Sequence, residues 1–383
     1  MSLGVSAVVG SLVVLGLAKP PFFDTENRLR RGVTASDARP ALYVPIHDGL
    51  CLIAQGANDA ESPKPVLLSA NEALSLAAGE KSASQLSGKE AADALADTGS
   101  ICAFLGSIEP PVGDHATGSS PPGDSSPPDA AHDSPLAPGD YWLLDTSHLD
   151  EAPTLEGSGE WTPLRARAGP SVCDSLSNDE AALLATARGL AVWHRSVKFC
   201  STCGSSTIES YRNGKGRRCV ECGMRFRPRL DASVIVLVLD ECGESCLLGR
   251  KSAWPAGRYS TLAGFVEFGE TVEECVLREM EEEAGVAVER ESIRFVASQP
   301  WLFPRSLMMG FTCKVSGNAA DAPLTVDHDE LEDAQWYTKD YVREQLQCER
   351  EAGLDGPAEA GGFHVPSKVS LARTLVEHWL DTP

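Results

Sequence analysis

The sequence from Gly264 to Val286 reads GFVEFGETVEECVLREMEEEAGV and contains eight glutamates in twenty-three residues. Thr271 and Glu274 have the spacing of a capping box, which begins a helix. Gly285 can end that helix, because glycine adopts the left-handed backbone conformation without strain. The stretch therefore predicts a helix from about Val272 to Ala284.

A helix with these bounds brings acidic side chains together. Glu279 lies one turn from both Glu282 and Glu283, because positions three and four apart share a helix face. Carboxylates at this spacing repel one another, so the cluster is destabilising unless a cation lies among them. Mg²⁺ and Mn²⁺ prefer such oxygen ligands, together with waters and substrate phosphates. Arg278 and Glu270 can pair and brace the preceding loop against the helix.

The same stretch resembles the Nudix box, whose pattern is G-x5-E-x7-R-E-U-x-E-E-x-G-U, with U an apolar residue. The fixed positions are matched by Gly264, Glu270, Arg278, Glu279, Met280, Glu282, Glu283, Gly285 and Val286. The resemblance implies hydrolysis of a nucleoside diphosphate linked to another group. It implies catalytic roles for Glu270, Arg278, Glu279, Glu282 and Glu283. The alternative is an acidic amphipathic helix that matches the pattern by chance.

Length and charge narrow the function classes. With 383 residues the chain can form two or three domains, each with its own core. The formal net charge of −22 argues against a protein that coats nucleic acid, because such a surface repels phosphate. The phosphate groups of a phosphorylated substrate must therefore be bound at a local site, by metal ions or by a few Lys and Arg side chains.

Residues 20–177 predict a β-rich N-terminal domain, because apolar runs alternate with turn signals. Helical patches are expected near Asn71–Ala78 and Gly88–Leu95. Residues 107–140 are rich in Pro, Ser, Gly and Asp and predict a disordered insertion. Because strands flank this insertion, we interpret it as a loop within one domain.

The first eighteen residues are apolar and uncharged. They lack the basic residues that usually begin a signal peptide, and they are short for a membrane span. A buried strand or a start codon assigned too far upstream is the favoured interpretation. The chain ends Asp381-Thr382-Pro383, which is not a peroxisomal tripeptide. We expect a cytoplasmic protein without a membrane partner, although organelle targeting stays open.

Residues 178–229 predict a helix followed by a zinc ribbon. The helix is expected at Asn178–His194, where acidic residues come first and the apolar periodicity is helical. Two C-x-x-C pairs follow, fifteen residues apart, and a glycine comes after each pair. The pairs are Cys200 with Cys203 and Cys219 with Cys222. Four thiolates at this spacing suit a closed, structural Zn²⁺ site. Two disulfides or a redox dithiol are the alternatives.

Basic residues are concentrated around these cysteines. They are Arg212, Lys215, Arg217, Arg218, Arg225, Arg227 and Arg229. The patch allows a nucleic-acid contact, yet a solvated ribbon surface is the commoner explanation.

Residues 230–383 predict the catalytic domain. ASVIVLVLDE, which starts at Ala232, is a β-branched run typical of a strand buried on both faces. Further strands are expected at CLLGRK, SIRFVASQPWLF, MMGFTCKVS and DAQWYT, and SKVSLARTLVEHWL predicts a closing helix. Strands interleaved with two helices imply an α/β class, with a mixed sheet between helical layers. This agrees with the Nudix α/β/α sandwich that the box implies, preceded by the zinc ribbon and a β-rich, Nudix-like N-terminal domain.

A second motif points to the substrate. SQPWLFPRS, from Ser298 to Ser306, begins thirteen residues after the last glycine of the box. It resembles the SQPWPFPxS array of NADH pyrophosphatases. Trp301 and Phe303 offer flat apolar faces, and the two prolines stiffen the backbone between them. The resemblance implies substrate contacts for Gln299, Pro300, Trp301, Leu302, Phe303, Pro304, Arg305 and Ser306. Taken alone, such a stretch is more often a packed loop.

The resemblance also assigns metal ligands position by position. They are Glu279, Glu283, Glu330 and the backbone carbonyl of Ala263, for Mg²⁺ or Mn²⁺. Glu282 shares this role or accepts the proton of the attacking water. Taken alone, Glu330 is one surface carboxylate among several.

Three further residues are implied to contact the substrate. Phe265 corresponds to an aromatic residue that stacks on a nucleobase, although a core Phe is the alternative. Ala372 corresponds to a contact position in the closing helix. Where the family has a tyrosine after the ribbon, this chain has Arg227, and arginine can both stack and bind phosphate. Nucleobase preference is therefore open.

Together, the box, the ribbon and the array predict an NADH pyrophosphatase. Such an enzyme cuts the diphosphate of NADH, and of NAD⁺, to NMN(H) and AMP, and relatives of this layout tend to form homodimers. Decapping of NAD-capped RNA and hydrolysis of ADP-ribose are the enzymatic alternatives. A module that binds without catalysis and a zinc-ribbon nucleic-acid adaptor are the others.

Overall fold

The computed structural model describes residues 40–55, 62–78, 94–95, 98, 100–108, 136–154, 159–165, 171–206, 208–211, 214–319, 323–351 and 361–382. The apolar run at residues 1–18, Arg212, and most of the predicted insertion and of the second helical patch lie outside these residues. Within the described ranges, no helix is long and apolar enough to cross a membrane.

The N-terminal unit is a mixed sheet of six strands. They are β1 (Ala41–His47), β2 (Leu50–Ala54), β3 (Lys64–Pro65), β4 (Ile101–Ile108), β5 (Gly139–Asp145) and β6 (Glu160–Pro163). Their order is β3-β2-β1-β5-β4, with β6 on β2, and β1 and β5 run parallel. The β1–β2 hairpin turns at Asp48 and Gly49, whose φ angles of 46° and 80° suit a two-residue turn. Helix α1 (Ala70–Ala78) packs on one face, where Tyr43 and Phe104 are buried.

The ends of the predicted insertion at 107–140 belong to strands, so that prediction was wrong at both ends. β4 extends through Ile108 and β5 starts at Gly139, and these two residues are paired across the sheet. Gly139 is the first residue of β5 and Pro138 precedes the strand, so this proline lies outside the sheet. Residues 109–138 therefore connect two neighbouring strands, as the interpretation of a loop within one domain requires.

Two helices lead from this sheet to a small ribbon. They are α2 (Val172–Ser175) and α3 (Asn178–Ser196), and α3 contains the predicted helix. The Ser177 side chain accepts a hydrogen bond from the backbone N–H of Glu180 and so caps α3. Leu183 and Leu184 on the apolar face of α3 pack on the side of the sheet opposite α1. The ribbon is an antiparallel sheet of β7 (Ile208–Tyr211), β8 (Gly216–Cys219) and β9 (Arg225–Phe226).

The C-terminal unit is a mixed sheet between helical layers, which confirms the predicted α/β/α class. Its strands are β10 (Asp231–Leu239), β11 (Ser245–Arg250), β12 (Leu262–Phe265), β13 (Arg294–Trp301), β14 (Ser306–Lys314) and β15 (Asp333–Thr338). The order is β13-β14-β10-β11-β15, with β12 on β10, and β10 and β14 run parallel. The helices are α4 (Val272–Ala284), α5 (Lys339–Glu351) and α6 (Leu371–Asp381), with a 3-10 turn at Arg290–Ser292.

Both faces of the central strand β10 are buried, because side chains alternate across a sheet. Val234 and Val236 pack with α4 on one face. Ile235 and Leu237 pack with α5 and α6 on the other. This double burial explains why the strand is a continuous apolar run.

The described part of this unit contains three helices, where the sequence predicts two. Helix α5 reads KDYVREQLQCERE, and Val342 and Leu346 are its buried apolar side chains. One such pair is a weak periodic signal, so the helix was not predicted. The closing helix begins at Leu371, with Ser370 as its cap, rather than at Ser367.

Candidate active site

The acidic stretch forms the predicted helix with the predicted bounds, Val272–Ala284. The Thr271 side chain accepts a hydrogen bond from the backbone N–H of Glu274, at 3.2 Å, which completes the capping box. Gly285 ends the helix with a φ of 69°, in the left-handed region. Local sequence thus determines where the glutamates lie along this helix.

Arg278 donates hydrogen bonds to three carboxylates of the acidic cluster. Its Nε and Nη2 donate to the two carboxylate oxygens of Glu270, each at 2.9 Å. Its Nη1 donates to Glu279 and Glu282, each at 2.9 Å, and Nη2 also donates to the carbonyl of Phe265 at 3.0 Å. The hydrogen bonds from Arg278 lower the pKa of Glu270 to about 2. The pairing predicted from sequence is therefore present, and it ties the loop after β12 to α4.

Glu283 is the deepest carboxylate of the cluster. It is 1% exposed, and neither carboxylate oxygen has a hydrogen-bond partner among the described residues. Burial raises its pKa to about 7, and repulsion from Glu279 and Glu330 acts in the same direction. Burial likewise raises the pKa of Glu279, against the opposing effect of Arg278. A buried carboxylate without donors is unfavourable by itself and suits a bound cation.

The residues present fit a divalent cation. Glu279 and Glu283 are one turn apart on α4, and Glu330 is near enough for its charge to act on both. Within the described ranges, only the four ribbon cysteines bring three or more possible ligand atoms within 4.8 Å of one another. The carboxylates thus do not form a closed cage, which is compatible with Mg²⁺ because this ion keeps several waters. The ligand roles of Glu330 and of the Ala263 carbonyl stay predictions.

Gly264 has no side chain, which leaves room for the carboxyl group of Glu279. A Cβ built on Gly264 would lie 1.8 Å from the carboxyl carbon of Glu279, so this position of the Glu279 carboxylate requires glycine at 264. The first glycine of the box therefore makes room for one of its carboxylates.

Gly264→Ala should weaken metal binding and leave the protein folded, because the flexible carboxylate can move away from the added methyl group. We expect the affinity for Mn²⁺ to fall by about tenfold to a hundredfold, as when groups that support a metal ligand are lost. Calorimetric titration with Mn²⁺ measures this. Gly317→Ala is the control for a strained glycine variant: its φ of 82° makes alanine unfavourable there, but no atom lies within 4 Å and the residue is outside the box, so stability should fall while the affinity for Mn²⁺ stays unchanged. Unchanged affinity in Gly264→Ala would contradict the role given to this glycine.

One neighbour of the cluster was not foreseen. The Nζ atom of Lys251, at the start of the β11–β12 connection, lies 4.0 Å from a carboxylate oxygen of Glu283. Its positive charge lowers the pKa of Glu283, against the larger effect of burial. No spacing rule connects two residues so far apart in sequence, so only the docking of α4 beside this connection reveals the pair.

The ribbon cysteines fit a structural zinc ion. The Sγ atoms of Cys200 and Cys222 are 3.5 Å apart, and those of Cys203 and Cys219 are 3.6 Å apart. All twelve cysteines of the chain are free, so the disulfide alternative does not hold here. Four thiols at such distances match the edges of a tetrahedron around Zn²⁺.

The predicted substrate loop, residues 298–306, has both buried and accessible members. Gln299 is 1% exposed; its amide donates to the carbonyl of Val369 at 2.9 Å and accepts from the N–H of Leu371 at 3.0 Å. It therefore anchors the start of α6. Ser306 is buried, Pro300, Trp301, Leu302 and Phe303 are half-buried, and Pro304 and Arg305 are exposed. The substrate contacts assigned to the loop stay predictions.

The other predicted contact residues are more scattered. Phe265 is 60% exposed beside the acidic cluster, so the alternative of a core Phe does not hold. Ala372 is buried in the core between the sheet and α6. Arg227 is exposed just after the ribbon strand β9. The structure thus brings Phe265 to the box and leaves the roles of Ala372 and Arg227 as predictions.

Comparison with known proteins agrees with this geometry. The model of the NUDIX domain matches residues 229–353. NAD-capped RNA hydrolase NUDT12 of Homo sapiens is 39% identical over 214 residues, which cover 54% of this chain and 43% of that protein. NAD(P)H pyrophosphatase NUDT13, mitochondrial, of Mus musculus is 38% identical over 207 residues, covering 54% and 57%.

NAD-capped RNA hydrolase NudC of Pseudomonas aeruginosa is 40% identical over 193 residues, covering 50% of this chain and 64% of that one. The chain thus spans between 43% and 64% of the length of these relatives. The similarity therefore concerns a part of each protein. With a complete box on α4 of an α/β/α sandwich, residues 229–353 match the NUDIX domain, and the chain is similar to relatives named NAD(P)H pyrophosphatase and NAD-capped RNA hydrolase.

Proposed function

We propose that this protein hydrolyses the diphosphate bond of NADH, and of NAD⁺, to NMN(H) and AMP. The observation that carries the proposal is Glu283, a buried carboxylate next to Glu279, for whose oxygens no close hydrogen-bond partner is found among the described residues. Such a site suits a cation that in turn holds phosphates. The names of the relatives, NAD(P)H pyrophosphatase and NAD-capped RNA hydrolase, support a nicotinamide dinucleotide as the substrate.

The proposed roles of the residues follow from their surroundings. Glu279, Glu283, Glu330 and the carbonyl of Ala263 hold Mg²⁺ or Mn²⁺. When bound, these ions neutralise charge on the phosphoryl oxygens and make a water more acidic. Arg278 holds Glu279 and Glu282 in place through its 2.9 Å hydrogen bonds.

In the proposed reaction, the oxygen of a water attacks one phosphorus and the bridging P–O bond breaks. The water's proton passes to Glu282, which is exposed and reachable from solvent. Each product leaves with one phosphate. Phe265 is placed to stack on the nucleobase, because its ring is exposed next to the box.

Decapping of NAD-capped RNA is the second candidate, since it breaks the same bond in a larger substrate. Two relatives are named for it, and the ribbon exposes Arg218, Arg225, Arg227 and Arg229. Two other basic residues of the patch point inward. Arg217 donates to the carbonyl of His194 at 2.6 Å, and Lys215 lies 4.6 Å from the ring centre of Phe104. The net charge of −22 further disfavours long RNA contacts.

We also propose a structural Zn²⁺ ion in the ribbon, a homodimer and a cytoplasmic location. Zinc is supported by the four clustered thiols. The dimer and the location rest on the family resemblance and on the composition of the chain. Light scattering of the purified protein tests the dimer.

A substrate panel tests the function. NADH, NAD⁺, NADPH, ADP-ribose and NAD-capped RNA are incubated with the zinc-loaded protein and Mg²⁺ or Mn²⁺, and AMP or 5′-phosphate RNA is measured. We expect free NADH to have the highest kcat/KM, with little dependence on salt. A faster rate on capped RNA that falls steeply with salt would favour decapping. No turnover of any member would contradict the proposal.

A further inference from the structure

The substrate loop at 298–306 packs against the N-terminal unit. Leu302 and Phe303 lie on the apolar core formed by the N-terminal sheet and α3. At this contact α3 carries Gly189, where an added Cβ would lie 3.0 Å from the Cβ of Leu302. The helix therefore approaches the loop so closely that a larger residue would press on it.

Arg188, the residue before this glycine, joins the loop to the N-terminal sheet. Its Nε donates to the carbonyl of Gly49 in the β1–β2 turn, at 3.1 Å. Its Nη1 donates to the carbonyl of Leu302 at 3.1 Å. Its guanidinium carbon also lies 5.0 Å from the ring centre of Phe303. One planar cation thus holds a main-chain atom and an aromatic ring of the loop at once.

A second arginine from the N-terminal unit covers the other aromatic ring. The guanidinium carbon of Arg165, just after β6, lies 4.4 Å from the ring centre of Trp301. The rings of Trp301 and Phe303 meet edge to face, with centres 5.3 Å apart. Because the two rings touch, an arginine that orients one of them also orients the other.

The base of the loop is held as well. Gln299 anchors it to the start of α6 through the carbonyl of Val369 and the N–H of Leu371. Before α6, Ser367 donates to a carboxylate oxygen of Asp174 in α2 at 2.9 Å. The loop and the segment that leads into α6 are therefore both connected to the N-terminal unit.

We propose that Arg188, supported by Arg165, is a positioning residue of the N-terminal unit, which sets the conformation of Trp301, Leu302 and Phe303 for dinucleotide binding. This inference rests on the proposed function, because the loop is the expected substrate site. It gives the N-terminal unit a role in substrate affinity. An ordinary packing contact between two units would instead affect stability and leave KM unchanged.

The test compares Arg188→Met with Arg195→Met in the full, zinc-loaded protein. Arg195 lies two turns further along α3 and pairs with Asp48 of the same β1–β2 turn at 3.1 Å, and also with Asp145. Its removal loosens the N-terminal unit without removing a contact to the loop. We expect Arg188→Met to raise KM for NADH by about tenfold and to change kcat by less than about twofold, because a charged hydrogen bond is lost away from the reacting atoms. Arg195→Met should leave KM unchanged.

Hydrogen exchange gives a readout that does not depend on activity. Amides of the peptide spanning residues 298–306 should exchange faster in Arg188→Met than in the wild type, and at the wild-type rate in Arg195→Met. Arg188→Lys keeps one cationic donor and should restore part of the effect. Arg165→Met, at an exposed position, should shift KM and exchange in the same direction by a smaller amount and serves if Arg188→Met does not fold.

The outcomes separate the two proposals. A wild-type protein that does not hydrolyse NADH contradicts the proposed function, and the exchange experiment still decides on positioning. Wild-type KM and wild-type exchange in Arg188→Met and Arg165→Met overturn the positioning role. Equal changes in Arg188→Met and Arg195→Met also overturn it, because they indicate a general loosening of the N-terminal unit.

Discussion

Glu283→Gln should reduce NADH hydrolysis by about a hundredfold or more, because an amide cannot replace the buried negative charge that suits the metal ion. Glu282→Gln should also abolish turnover if Glu282 accepts the proton. AMP release with saturating Mg²⁺ measures both effects. Glu281→Gln is the matched control, since Glu281 is an exposed glutamate of the same helix and lies outside the box pattern. All three variants should stay folded and keep zinc. Near-normal activity in both Glu282→Gln and Glu283→Gln would contradict the assignment of the box.

Glu283→Gln should also stabilise the protein when no Mg²⁺ or Mn²⁺ is added. Burial raises the pKa of Glu283 from 4.5 to about 7, so ionisation is disfavoured in the folded state. Below pH 4.5 the carboxyl is protonated in both states and no penalty exists. The penalty grows as the pH rises and is complete above pH 7, where it reaches about 3 kcal/mol.

Thermal unfolding at several pH values tests this consequence. Glu283→Gln should therefore unfold at a higher temperature than the wild type at pH 8, and at a similar temperature near pH 4. Added Mn²⁺ should reduce the difference at pH 8, because only the wild type gains a full metal ligand. If the wild type is instead more stable than Glu283→Gln at pH 8 without added metal, another group offsets the unfavourable ionisation of the buried Glu283 carboxyl.

Loss of the ribbon zinc should have the second large effect. Structural zinc contributes on the order of 10 kcal/mol to the folding of small metal modules. Cys219→Ser, at a fully buried ligand position, should release the ion and unfold the ribbon between α3 and β10. Metal analysis and limited proteolysis of that segment measure this. Cys242→Ser, at an exposed cysteine outside the ribbon, is the control and should change neither.

Unfolding of the ribbon should spread to the N-terminal unit more than to the catalytic sheet. The side chain of His194 near the end of α3 hydrogen-bonds the carbonyl of Gly214 at 2.7 Å, and Lys215 lies on the ring of Phe104 in β4. Among the described residues, no ribbon residue belongs to the two apolar cores of the C-terminal unit. Proteolysis that spares the ribbon in zinc-free protein would show that the cysteines are not structural ligands.

Local signals explain which elements could be predicted. The bounds of α4 depend on Thr271, Glu274 and Gly285, each within one residue or one turn of a helix end, and all three are visible in the sequence. The ribbon follows from cysteine spacing, because four thiols in two C-x-x-C pairs suit one Zn²⁺ ion, and all four Sγ atoms lie within 4.8 Å of one another. By contrast, α5 was missed because two buried apolar residues do not give a clear period. The ends of the insertion were misplaced because strand pairing between Ile108 and Gly139 overrides a turn-like composition.

For the Nudix box, the sequence by itself determined the helix, its caps and the spacing of the glutamates, since these depend on neighbours along one chain segment. Tertiary structure decided which partners the glutamates meet. Gly264 on β12 makes room for Glu279, and Lys251 approaches Glu283 from the β11–β12 connection. It also decided that Arg188 reaches Leu302, which is 114 positions away. Such contacts arise from sheet order and from the docking of whole units, and no local spacing encodes them.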